Sequence, residues 1–140
     1  MSKKDWSEDM AKDTPRRTGK YKLPVPVYHQ TLWIMRDYYR LKDNLDSLSV
    51  LAPIEIDDMP KSKTNRTSDL VFNIVLKREE FADRIRMIDR AMATIPAEYR
   101  KGVWDSIHFG KPYPRDAHRT TYSRYKSKVL YILAKNLNLI

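Results

Sequence analysis

The chain contains no cysteine. That excludes disulfides, thiolate metal sites and cysteine nucleophiles, and it fits a reducing cytoplasm. Glycine is scarce, with 3 in 140 residues. Tight hairpins consume glycine, so the scarcity points away from strands and toward helices. No apolar run is long enough to span a bilayer. The opening Met1-Ser2-Lys3-Lys4-Asp5 has no apolar core of a signal peptide. A soluble protein of the cytoplasm, with no membrane partner, is the expectation.

Enzyme chemistry finds little support. His29, His108 and His118 form no pair at metal-ligand spacing. Arg17-Thr18-Gly19-Lys20 lacks the first glycine and the spacing of a P-loop. No serine sits in a nucleophile elbow. Asp57 and Asp58 have no histidine nearby and read as solvated charges. The expectation is a protein that is not an enzyme and needs no cofactor or metal.

What is present is apolar material and positive charge. Hydrophobic residues make up 41% of the chain, enough for a core, and net charge is +9. The charge is uneven. Residues 1–24 carry a net +3, residues 25–96 are neutral, and residues 97–140 carry +6. A localised basic field draws polyanions, nucleic acid above all.

Residues 1–24 are polar and lack periodicity, and read as a flexible basic arm of the kind that lies in a minor groove. A solvated tail is the alternative. Pro24 and Pro26 hold the chain extended before a helix starts. From Val27 the apolar residues follow a 4/3 rhythm through Thr31, Ile34, Tyr38, Leu41, Leu45 and Leu48. A second row of Tyr28, Leu32, Met35 and Tyr39 lies beside it. The pattern predicts one long amphipathic helix ended by Pro53. Residues 50–66 read as a connector, with Thr67 or Ser68 capping the next helix. That helix carries Val71, Ile74, Phe81, Ile85, Ile88, Met92 and Ile95, with Arg78 the exception. The two seams suit either an antiparallel hairpin over 25–96 or a homodimer.

Pro96 marks a fresh start. Tyr99, Val103, Trp104 and Ile107 predict a helix over 97–109, with Gly110 just past its end. Residues 110–119 form a turn containing Pro112 and Pro114. A last helix runs from about Thr120 to Leu137, with Tyr122, Tyr125, Val129, Ile132 and Leu133 as its core stripe. Trp33 and Trp104 are expected in apolar faces. The whole reads as an all-α protein: a long helical hairpin followed by a C-terminal helix-turn-helix over 97–140.

The start of the last helix gathers Thr120, Thr121, Ser123, Arg124, Lys126, Ser127 and Lys128. Arginine pairs bidentately with guanine, hydroxyls contact bases or phosphates, and lysines hold the backbone. Arg115, Arg119 and Lys111 in or beside the turn add phosphate contacts. These ten residues are the candidate DNA-binding site. Arg124 is the expected base reader and Lys128 the expected phosphate contact.

The run Thr120-Thr121-Tyr122-Ser123-Arg124-Tyr125-Lys126-Ser127-Lys128-Val129-Leu130 and the following Ile132-Leu133-Ala134-Lys135-Asn136-Leu137 resemble the recognition helix of phage transcriptional regulators of the RinA/ArpU type. Those are similar in turn to region 4 of sigma factors. Pro96-Ala97-Glu98-Tyr99-Arg100-Lys101-Gly102-Val103-Trp104 would be the supporting helix. The resemblance covers about the last 45 residues, and the turn is longer than the usual three or four residues. It implies a phage-encoded, sequence-specific regulator of late genes, acting on double-stranded DNA in a bacterial host, with host RNA polymerase as a further partner. Another class of function fits the same charge: a phage-type inhibitor of a nucleic-acid-handling machine such as a CRISPR effector. A structural protein that self-associates through its long helices is a third.

Overall fold

A computed structural model describes residues 15–16, 18–57 and 64–140, with side chains for 15–16, 18–48 and 68–140. These residues are all-helical, with five helices and no strand. They are α1 (Val25–Arg36), α2 (Tyr38–Asp57), α3 (Thr64–Ala93), α4 (Ala97–Phe109) and α5 (Arg119–Asn136). None is long and apolar enough to cross a membrane.

The chain divides into two compact units. One comprises residues 1–36 and 87–140, and the other Asp37–Arg86. The cuts fall at 36/37 and 86/87, where the hydrophobic rhythm had placed boundaries at 24/25 and 96/97. The reason lies in α1, which packs against α4 and α5, while α4 also packs against α5. Tyr28, Leu32 and Met35 from α1, Ile88, Met92 and Ile95 from the end of α3 and just beyond it, Val103 and Ile107 from α4, and Tyr122, Val129, Leu130 and Leu133 from α5 are all buried. The buried Thr31 hydroxyl is satisfied locally, donating to the Val27 carbonyl at 2.8 Å as helical threonines do.

The single long helix expected from Val27 is two helices. Asp37 interrupts it as a turn residue. Its carbonyl accepts from the Leu41 amide at 3.0 Å and its carboxylate accepts from Arg40. That hydrogen bond holds the Asp37 carboxyl below the usual carboxylate range. No proline or glycine marks the break, and the apolar rhythm runs through it. Pro53 does not end α2, which continues to Asp57. Thr67 and Ser68 are not caps either, because α3 begins at Thr64. The connector is correspondingly shorter, and its residues 58–63 lie outside the described residues.

In the second unit Tyr38, Leu41 and Ile85 are buried, and an ion pair joins Arg86 to Asp83. Leu70, Phe72, Val75 and Leu76 on the first half of α3 are exposed.

Helix α4 occupies the residues its spacing predicts. It ends at Gly110, which adopts the left-handed conformation (φ 64°) and donates its N–H to the Ser106 carbonyl at 3.2 Å. Only glycine takes that conformation without a Cβ penalty. Residues 110–118 then connect α4 to α5.

Candidate nucleic-acid interface

Four tyrosines fix α5 to the preceding connection. Tyr113 stacks on the buried Tyr122 with centroids 5.4 Å apart, and Tyr99 meets Tyr122 edge-on at the same separation. Tyr99 also stacks on Tyr125 at 5.1 Å. Such ring pairs add stabilisation beyond the area they bury. The Tyr122 hydroxyl donates to Asp116 Oδ1 at 2.5 Å. Burial, and then this bond to a carboxylate, push the Tyr122 phenol up to about 12. Pro114 lies over Gly102, where a Cβ would come within 2.8 Å of its Cδ. The long proline-containing connection is therefore packed against both helices that flank it.

His118 caps α5. Its Nδ1 accepts the Thr120 amide at 3.1 Å, so one orphan donor of the first turn is satisfied by imidazole in place of a hydroxyl or carboxylate. The first turn holds no acidic residue. Arg115, Arg119 and Thr120 are exposed there, Arg124 is exposed one turn on, and Thr121 and Ser123 are half-buried. Asp116, hydrogen-bonded to Tyr122 at the start of this helix, offsets part of the positive charge gathered there, and the excess favours an anion.

Three of the ten expected site residues are occupied differently. Lys126 is only 6% exposed. It lies four residues from both Tyr122 and Leu130, on the buried stripe, where its aliphatic stem packs. It does not belong to the exposed basic face. The Lys128 ammonium donates to the Thr94 carbonyl at 3.2 Å. Arg100 joins it there, donating to the carbonyls of Ile95 at 3.0 Å and Ala93 at 3.1 Å. Two cations thus serve the carbonyl-rich end of α3, where the dipole favours positive charge. Ser127 donates its hydroxyl to the Ser123 carbonyl at 2.9 Å, so that proton is committed. Lys111 is exposed at the start of the connection, with its ammonium 5.6 Å from the Phe109 ring.

The structure also places residues that the charge count alone did not. Residues 15–16 and 18–24 do not form a free arm. Leu23 is buried, and the Tyr21 ring meets Tyr131 of α5 edge-on at 5.6 Å. This brings Arg16, Thr18, Gly19, Lys20 and Tyr21 against Arg124 and Ser127, around an open cleft of about 230 Å³. The two apolar anchors, Tyr21 and Leu23, were the available signal. Both sit in a stretch dominated by Lys and Arg and too short to show periodicity. The remainder of the arm, residues 1–14 and 17, lies outside the described residues.

Trp33 is 63% exposed, with the Arg36 guanidinium 5.3 Å from its ring, so it is not a core residue as its helix suggested. Trp104 is half-buried and packs on His108, with ring centroids 3.8 Å apart. Burial, and then the charge of Arg36, depress His108 to about 4. Arg36 itself donates to the Ile107 carbonyl at 2.9 Å. No group of three or more metal-ligating side chains occurs among the described residues.

No protein-family model, no curated protein and no solved structure matches the chain.

Proposed function

We propose that this protein is a sequence-specific DNA-binding regulator of transcription, phage-encoded and acting on late genes in the bacterial cytoplasm, with α4 and α5 as its helix-turn-helix and α5 as the reading helix. The observation that carries the proposal is the N-terminal half of α5. It presents Arg119, Thr120 and Arg124 to solvent beside Arg115, with no carboxylate in its first turn. Arginine at such a place bonds guanine bidentately, and exposed hydroxyls and further arginines hold phosphates. The tyrosine cluster makes the helix a rigid platform, which suits base readout. No cofactor and no catalytic step belong to this reading. It keeps α2 and α3 as a helical hairpin, with a homodimer formed through the exposed Leu70, Phe72 and Leu76 and with host RNA polymerase as a further partner.

The test is selection of bound fragments from phage genomic DNA, followed by titration of the selected and a scrambled duplex over a range of salt. The expected result is preference for the selected site and a log–log salt slope of roughly −4 to −5, from about −0.9 for each of some five neutralised phosphates. Equal, salt-insensitive affinity for every duplex, or no binding, overturns the proposal. Tight capture of a protein of the nucleic-acid machinery without DNA binding would favour the inhibitor instead.

A further inference from the structure

The cleft between residues 16 and 18–21 and α5 has an unusual electrostatic lining. Arg16, Lys20 and Arg124 all border it, and among the described residues no carboxylate does. Like charges brought together repel unless something neutralises them. Arg16 is half-buried, and its Nη1 is buried with no hydrogen-bond partner among the described residues. A guanidinium N–H left so is costly, and Arg16 also borders a second opening with Leu23, Pro24 and His29. Both Arg16 and Arg119 lie close enough to Tyr113 to act on its hydroxyl, so the positive field extends from the cleft to the first turn of α5. Gly19, at φ 108°, turns the chain at the cleft's edge.

We infer that this cleft is an oxyanion site, built jointly by the N-terminal segment and α5, that takes one phosphodiester of a nucleic-acid backbone. Arg16 and Arg124 donate to the phosphate oxygens from two sides, and Lys20 adds charge. The Ser127 hydroxyl, already donating to Ser123, offers no proton. The inference rests on the DNA-binding reading for the source of the phosphate, and it adds a role for residues 16 and 18–21. They fix the strand against α5, and the five N–H donors of the Arg124 guanidinium leave it one edge for the phosphate and another for a base. The Tyr21–Tyr131 contact holds this segment against α5.

The experiment has two arms on the full chain. In the first, inorganic phosphate is titrated at constant ionic strength against chloride, and the side-chain Nε–H resonances of Arg16 and Arg124 and the Gly19 amide are followed by NMR. Shifts at these three that saturate with phosphate and not with chloride are expected. In the second, Arg16→Ala, Arg124→Ala and the double variant are titrated with duplex DNA, with circular dichroism to confirm the fold. Each single change should weaken binding about tenfold, as loss of a charge-assisted hydrogen bond does. The double variant should lose much less than the hundredfold product, because both donors serve one phosphate. Arg16→Lys should recover part of the loss. If phosphate leaves the three resonances unmoved and Arg16→Ala binds duplex like the parent, the cleft inference is overturned while the DNA-binding reading stands. If phosphate saturates the cleft and no duplex binds, the nucleic-acid source is overturned, together with the regulator reading.

Discussion

Gly102 of α4 faces Tyr122 of α5 so closely that a Cβ on the glycine would lie 2.6 Å from the tyrosine Cε1. Glycine is a poor helix former, about 1 kcal/mol worse than alanine, so its presence inside α4 answers a need for close approach. The tyrosine cannot retreat, since Tyr99 and Tyr113 pack on its ring.

Gly102→Ala should therefore destabilise the protein despite the gain in helix propensity. Overpacking of this kind costs about 1–3 kcal/mol, which outweighs that gain or at best matches it. Urea unfolding should show a lower midpoint at unchanged slope. A midpoint equal to or above the parent's would mean that Pro114, the other close neighbour, simply moves away.

Tyr122 should make stability fall at high pH. Its folded-state value of about 12 lies above the ordinary tyrosine value near 10. Its protonated form is favoured by the fold, so its contribution is complete below about 10 and is lost as pH rises toward 12. Tyr122 should contribute one late ionisation to a spectrophotometric titration, in which Tyr99 and Tyr113 are also held above the ordinary value. Tyr122→Phe should remove that late ionisation and cost about 0.5–1.5 kcal/mol at neutral pH through the lost hydrogen bond to Asp116. An alkaline stability profile identical in parent and variant would contradict the assignment.

His108 acts at the other end of the scale. Its folded value near 4 lies below the ordinary 6.5, so the unfolded chain binds the extra proton first. Stability should be full above about 6.5 and should decline as pH falls from there toward 4. Burial and the Arg36 guanidinium are the causes, opposed by Asp105. His108→Gln should flatten this acid limb. An NMR titration that places the His108 midpoint near the free value would remove the premise.

Much of this fold is written in the spacing of apolar residues. Val103 and Ile107 with Gly110 define α4, and Tyr122, Val129 and Leu133 define α5. The break at Asp37 is not so written, because aspartate at a turn gives no stronger local signal than aspartate on a solvent face. Pro53 illustrates the opposite failure, a strong breaker signal that α2 overrides. In the site, the exposed arginines of α5 were legible from composition and position. The burial of Lys126 was hidden because a lysine on an apolar stripe looks like one on a polar edge until the neighbours are known. The use of Lys128 and Arg100 at the end of α3 was hidden for a different reason. The carbonyl partner of Lys128 lies 34 residues upstream, and the partners of both cations belong to a helix terminus that only Pro96 marks in the sequence. The docking of residues 18–24 was missed because two anchors, Tyr21 and Leu23, suffice for a short segment and leave no periodicity.

Arg124 and Lys128 differ in what the fold already asks of them, and this separates their expected effects. Arg124 is exposed, one turn into α5, and borders the cleft with Arg16. Replacing it by alanine should reduce binding to the selected duplex by about 1–3 kcal/mol and relax preference at one base position. It should leave thermal stability nearly unchanged, since an exposed side chain is lost. Lys128 sits one turn further on and is held by the Thr94 carbonyl. Lys128→Ala should lower stability by about 0.3–1 kcal/mol, the usual worth of a cation at a helix C-terminus. Because its ammonium serves that terminus, its removal should change the salt slope by much less than the unit expected of a phosphate contact. The measurement is a paired titration of selected and scrambled duplexes at several salt concentrations, with urea unfolding of each variant alongside. A Lys128→Ala protein of parental stability whose slope drops by a full unit would show that the lysine leaves Thr94 for the phosphate backbone on binding. An Arg124→Ala protein that binds both duplexes as the parent does would take base reading away from α5.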